Sequence, residues 1–102
     1  MTTDQKTAFT DADIVMTLRI QLERLSADAS VDQVAYRSDY GVTSESLSLA
    51  KPTALVMHPG PMNRGVEIDG DIADHPDRSL ILAQVAMGVP TRMAVLEFAS
   101  SL

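Results

Sequence analysis

The chain has no cysteine and no tryptophan. Disulfides, cysteine-ligated zinc, iron–sulfur clusters and thiol nucleophiles are therefore excluded together. Aromatic residues make up only 4% of the 102 residues, too few for base-stacking platforms. Cations are scarce as well: 8 Lys and Arg stand against 14 Asp and Glu, for a net charge of −6. A nucleic-acid backbone needs clustered Lys and Arg, so no nucleic-acid partner is expected. The longest unbroken apolar runs are a few residues, far short of the roughly 20 that span a bilayer, so no membrane partner is expected either. The first residues are polar and lack a basic-then-apolar leader. The expected location is the cytoplasm.

Several motifs are missing too. There is no G-x-G-x-x-G, P-loop, H-E-x-x-H or G-x-S-x-G. The two histidines, His58 and His75, have no neighbours at metal-site spacing. Asp69, Asp71, Asp74 and Asp77 suggest calcium, but Ala73 and Leu80 break the EF-hand pattern, and a solvated acidic loop is the better reading. No metal and no cofactor are expected.

What is present is an alternation of strand and helix signals. Residues 1–10 read as a polar lead-in. Residues 14–20 are nearly continuously apolar, the pattern of a strand buried on both faces. Residues 31–40 read as a helix stopped by Gly41, and Thr43 as the N-cap of a short helix over 44–50 that ends before Pro52. Residues 54–57 form a second short apolar strand, and residues 58–77 a long loop. Ser79 is read as the cap of a helix that stops at Gly88. Pro90 then suits the first turn of a last helix, whose apolar stripe runs through Val89, Met93 and Leu96 beside Val95, Phe98 and Leu102. Alternation of this kind points to an α/β layer with a parallel sheet, whose ligands bind beyond the carboxyl ends of the strands. Two strands do not make a stable sheet, so the chain reads as a piece of a larger one.

Two places lie at such strand ends. Arg19 leaves the first strand. It is either paired with Glu23 or an acidic loop, or it is a planar fork for a substrate carboxylate. His58-Pro59-Gly60-Pro61 leaves the second strand. Its two prolines remove two N–H donors, and Gly60 permits close approach. The loop is either a tight turn, with Gly60-Pro61 open to a cis bond, or a set of carbonyls for a ligand that donates hydrogen bonds, such as an amide NH2.

These segments together resemble the aspartate carbamoyltransferases. The resemblance is carried by Ala12-Asp13-Ile14-Val15-Met16-Thr17-Leu18-Arg19-Ile20-Gln21-Leu22-Glu23-Arg24 and by Tyr40-Gly41-Val42-Thr43. It continues through Met57-His58-Pro59-Gly60-Pro61-Met62-Asn63-Arg64-Gly65-Val66-Glu67-Ile68, then Gln84 to Val89 and Arg92 to Leu96. It implies a truncated part of a parallel-sheet, Rossmann-like aspartate-binding domain of the transcarbamoylase fold, covering residues 11–102. It implies transfer of a carbamoyl group from carbamoyl phosphate to L-aspartate in de novo pyrimidine (UMP) biosynthesis, by a homotrimer. Arg19 and Gln21 would bind L-aspartate. The backbone of Gly60 and Pro61 would bind the carbamoyl group of carbamoyl phosphate, with His58, Arg64 and Glu67 supporting the loop.

The carbamoyl-phosphate domain is missing from the match. So are its Ser-Thr-Arg-Thr loop and the lysine that a neighbouring subunit lends. No catalytic group is assigned to this chain. Donors aimed at developing negative charge are usually the largest catalytic contribution, each worth roughly 10²–10³ in rate, so the chain alone is expected to be inactive and marginally folded. Three rival readings remain open. The chain could be a split-enzyme subunit completed by a separate N-terminal chain, a non-catalytic interaction module joining a partner such as a dihydroorotase, or a decayed remnant.

Overall fold

A computed structural model of the chain describes residues 1–21 and 32–102. The sequence readings on Glu23, Arg24 and Val31 lie outside the described residues.

The opening segment, read as a polar lead-in, carries a helix, α1 (Gln5–Phe9). Asp4 caps it by accepting the Thr7 amide at 2.9 Å, and Phe9 turns inward against the core. Next comes β1 (Ile14–Met16), which runs parallel to β2 (Leu55–Met57). The register pairs Ile14 with Leu55, Val15 with Val56 and Met16 with Met57. The parallel sheet expected from the sequence is thus formed, with two strands among the described residues.

β1 is shorter than the apolar run that suggested it, and it is not buried on both faces. Val15 is buried, but Ile14 and Met16 are 57% and 52% exposed. Successive side chains point to opposite faces of a sheet. In the described residues one face is packed and the other is bare.

Between the strands lie α2 (Gln33–Tyr40) and α3 (Ser44–Leu47). Asp32 caps α2 by accepting the amides of Val34 and Ala35, and the Gly41 amide closes it on the Arg37 carbonyl. Thr43 and Ser46 form a reciprocal capping box at the start of α3. This helix ends at Leu47, short of the 44–50 that its cap and Pro52 suggested. The stretch read as a loop contains a further helical turn, α4 (Gly70–Ala73), which buries Ile72 and Ala73. Val42, Leu47, Val56, Ile68 and Ile81 meet at the centre of the core.

The largest departure is at the end. Gly88 and Pro90 do not divide two helices; they lie inside one, α5 (Ile81–Ser100), which Leu80 rather than Ser79 caps. Proline in a helix interior removes a backbone bond and costs about 3 kcal/mol. The Ala-, Leu- and Met-rich turns on either side are strong helix formers and carry the helix through. Its apolar stripe has the breadth of one that packs on a sheet, yet it is left without a cover among the described residues. Only Ile81 of α5 is buried, while Val89, Met93, Leu96 and Phe98 are each more than 60% exposed. Among the described residues, the other elements cover only the beginning of α5. A bare face of this breadth drives association. The isolated chain should therefore gain mass with concentration in sedimentation velocity; a sharp monomer throughout would contradict the packing seen here.

Candidate functional site

Parallel pairing of β1 with β2 places the two segments of interest at the same edge of the sheet. Residues 17–21 follow β1 without regular secondary structure, and the Thr17 amide still donates to the Met57 carbonyl at 3.2 Å. Arg19 and Ile20 are half-buried there and Gln21 is exposed. The Glu23 partner proposed for Arg19 lies outside the described residues. Beside this segment, β2 ends directly into His58-Pro59-Gly60-Pro61.

That loop is held from below by a buried hydrogen-bond network. His58 and Glu67 are both fully buried. The Gly60 amide donates to His58 Nδ1 at 2.9 Å. Nδ1 is therefore the unprotonated nitrogen, and Nε2–H donates to Glu67 Oε1 at 3.1 Å. The same Oε1 accepts the Asn63 amide at 2.6 Å. Glu67 Oε2 is buried and has no hydrogen-bond partner among the described residues. Burial pushes the Tyr36 phenol of α2 up, and the Glu67 charge pushes it further. From the other side, Gln84 of α5 accepts the His58 amide at 2.9 Å.

The result is a rigid turn. The Gly60-Pro61 bond is cis, and Gly60 sits at φ 65°, in the left-handed region that suits glycine. A Cβ there would meet Val85 Cγ2 at 3.3 Å. Among the described residues, the Gly60 and Pro61 carbonyls accept no hydrogen bond. They are preorganised acceptors for a ligand with N–H groups.

Arg64 is engaged elsewhere. Its fork grips Asp74 at 2.7 and 2.9 Å and reaches the Gly70 carbonyl at 3.3 Å. It pins the far end of the loop to α4 and makes no hydrogen bond to Gly60 or Pro61. The Arg64 hydrogen bonds hold the Asp74 carboxyl below its ordinary range. A depressed carboxylate stabilises the fold above its unfolded pKa, and that contribution is lost as pH falls through the folded value. Asp74→Asn should therefore flatten part of the loss of melting temperature below about pH 4; an unchanged acid limb would show that the pair contributes nothing.

The sequence reading missed Asn63 and Gln84 as individual contributors. An amide residue within the loop motif, and another in the first turns of a helix leaving the same strand edge, were the available signals. Among the described residues, no group of three His, Asp or Glu side chains could hold a metal ion.

An α/β layer with an arginine and two unoccupied carbonyls at adjacent strand ends is a candidate small-molecule site. Comparison with known proteins narrows this. The sequence pattern described as "Aspartate/ornithine carbamoyltransferase, Asp/Orn binding domain" matches residues 1–99. The chain belongs to the aspartate/ornithine carbamoyltransferase family, within that binding domain. It is 54% identical over 97 residues to the aspartate carbamoyltransferase catalytic subunit of Rhodospirillum rubrum, covering 95% of this chain and 30% of that protein. Aspartate transcarbamoylase from Trypanosoma cruzi, solved with carbamoyl phosphate, superposes with a TM-score of 0.70 at 30% identity, over 89% of this chain and 27% of that one. Ornithine carbamoyltransferase from Campylobacter jejuni gives a TM-score of 0.79 at 22% identity, over 96% of this chain and 32% of that one; it attests the fold alone. The chain spans about 30% of the length of the curated relatives it matches. The family match includes α5, whose length and apolar composition would by themselves suffice to cross a membrane.

Proposed function

We propose that this chain is the aspartate-binding part of an aspartate carbamoyltransferase. The reaction joins L-aspartate and carbamoyl phosphate into N-carbamoyl-L-aspartate and phosphate, toward UMP. The amine nitrogen attacks the carbamoyl carbon, the bond from that carbon to the phosphate oxygen breaks, and the amine's proton leaves with the departing phosphate. The observation that carries the reading is the pair of adjacent strand ends. One bears Arg19 and Gln21, and the other presents the Gly60 and Pro61 carbonyls without donors. Arg19 is the fork for an aspartate carboxylate, with Gln21 beside it. The two carbonyls accept from the carbamoyl NH2 and so turn the carbamoyl carbon toward the amine. His58 and Glu67 keep the turn in place, and Arg64 fixes its outer end. Aspartate is favoured over ornithine because the curated relatives at 52–57% identity are aspartate enzymes.

These groups orient substrates. They do not supply donors for the charge that grows on the carbamoyl oxygen and the leaving phosphate. Those must come from the remaining length that the relatives possess, in a cytoplasmic homotrimer. The 102-residue chain alone should form no carbamoyl aspartate. A hybrid in which it replaces the corresponding segment of the Rhodospirillum rubrum relative should be active. Turnover by the chain alone, or a folded but inactive hybrid, would overturn the reading. The exposed face of α5 favours a second form of it, a split enzyme. Mixing the chain with the separately made remainder of the relative would then restore activity.

A further inference from the structure

We infer that Asn63 is a positioning residue that couples the two substrate-binding segments, setting the reach of Arg19 and Gln21 from the proline turn. The inference rests on the function proposed above.

The Asn63 side-chain amide donates from Nδ2 to the Ile20 carbonyl at 2.9 Å, across 43 positions of sequence. A carbonyl only accepts, so the partner fixes which end of the amide faces it. Ile20 lies between Arg19 and Gln21, and its carbonyl belongs to the planar peptide that joins it to Gln21. Holding that one carbonyl therefore ties the backbone that carries both side chains to the turn. The other end of Asn63 is anchored as firmly. Its backbone amide donates to Glu67 Oε1, which receives His58 Nε2–H, and His58 Nδ1 receives the Gly60 amide. Four consecutive hydrogen bonds thus join the carbonyl at the aspartate-binding segment to the amide of Gly60. Asn63 touches neither proposed substrate group directly. Residues 17–21 belong to no strand beyond Met16, so their position depends on such ties.

The side-chain bond is separable from the anchor. Asn63→Ala and Asn63→Leu both delete the Nδ2 donor. Both keep the backbone amide on Glu67, and leucine also keeps the volume and adds no charge. In the hybrid enzyme, either variant should raise KM for L-aspartate about tenfold, the effect of one lost hydrogen bond. The kcat should stay within about threefold, because the lost positioning affects ground state and transition state alike. In the 102-residue chain itself, hydrogen exchange of the peptide covering residues 17–21 should speed up, while the melting temperature moves little. Arg19→Ala is the control. If it raises KM for aspartate and both Asn63 variants leave it within twofold, the coupling is wrong and the aspartate site stands. If Arg19→Ala itself leaves that KM unmoved, the site reading fails and takes the coupling with it. A fall in kcat with KM unchanged would also overturn the proposal, assigning Asn63 to the turn alone.

Discussion

Glu67→Ala should cost about 3–5 kcal/mol of folding stability, the largest effect expected of any single substitution outside the substrate-facing residues. Glu67 is fully buried, and its Oε1 receives both the His58 ring and the Asn63 amide. Hydrogen bonds to a charged acceptor contribute about 1.5–3 kcal/mol each, and deleting the acceptor leaves the buried His58 ring and the half-buried Asn63 amide without it. Small domains have roughly 5–15 kcal/mol in total, and a two-stranded sheet with one bare face belongs at the low end. The alanine variant should therefore be largely unfolded in mild urea. Glu67→Gln separates the contributions. Its amide oxygen can still accept both donors. Its NH2 lands where Oε2 now sits without a partner, so a buried donor is orphaned at about 1–3 kcal/mol. Urea titration followed by far-UV circular dichroism reads both variants. An alanine variant within 1 kcal/mol of the parent, or a glutamine variant as damaging as alanine, would refute this account of the network.

Short-range chemistry was the legible part of the sequence. Gly41 stops α2 and Thr43 caps α3 because those effects act within one turn. The proline turn was readable for the same reason: Pro59 and Pro61 lack donors whatever surrounds them. The parallel pairing followed from alternation of strand and helix signals. Contacts that depend on what lies across the fold were not legible. The apolar run at residues 14–20 looks the same whether both faces are covered or one, and here Ile14, Met16 and Leu18 are exposed. Gly88 and Pro90 are breakers by propensity, yet the flanking residues of α5 carry the helix past them. Arg64 sits inside the loop motif, but its charge is matched by Asp74 on the far side of α4. Asn63 and Gln84 act through hydrogen bonds to Ile20 and His58, distant in sequence, which no spacing rule anticipates. The bare strand face and the bare helix have one physical cause: the layers that would cover them are not among the described residues.

Arg19→Ala in the hybrid enzyme should lower kcat/KM for L-aspartate by about 10²–10⁴. Two parallel charge-assisted hydrogen bonds from one guanidinium contribute roughly 1.5–3 kcal/mol each, and every 1.4 kcal/mol is a factor of ten. The half-buried setting of Arg19 at the edge of the sheet strengthens such bonds relative to open water. Arg19→Lys keeps the charge but loses the planar fork, so it should recover only part of the loss. Gln21→Ala, which removes a neutral partner from an exposed position, should cost about tenfold or less. The order alanine, then lysine, then parent at position 19 is the diagnostic result. A purely structural arginine paired inside the chain would instead show its loss in melting temperature, with lysine and alanine equal in KM. An Arg19→Ala enzyme within threefold of the parent at saturating carbamoyl phosphate would remove Arg19 from the aspartate site. Beside the Gly60 and Pro61 carbonyls, Gln21 would then be left as the one proposed aspartate contact among the described residues, and a carbonyl pair binds the carbamoyl group without selecting what attacks it.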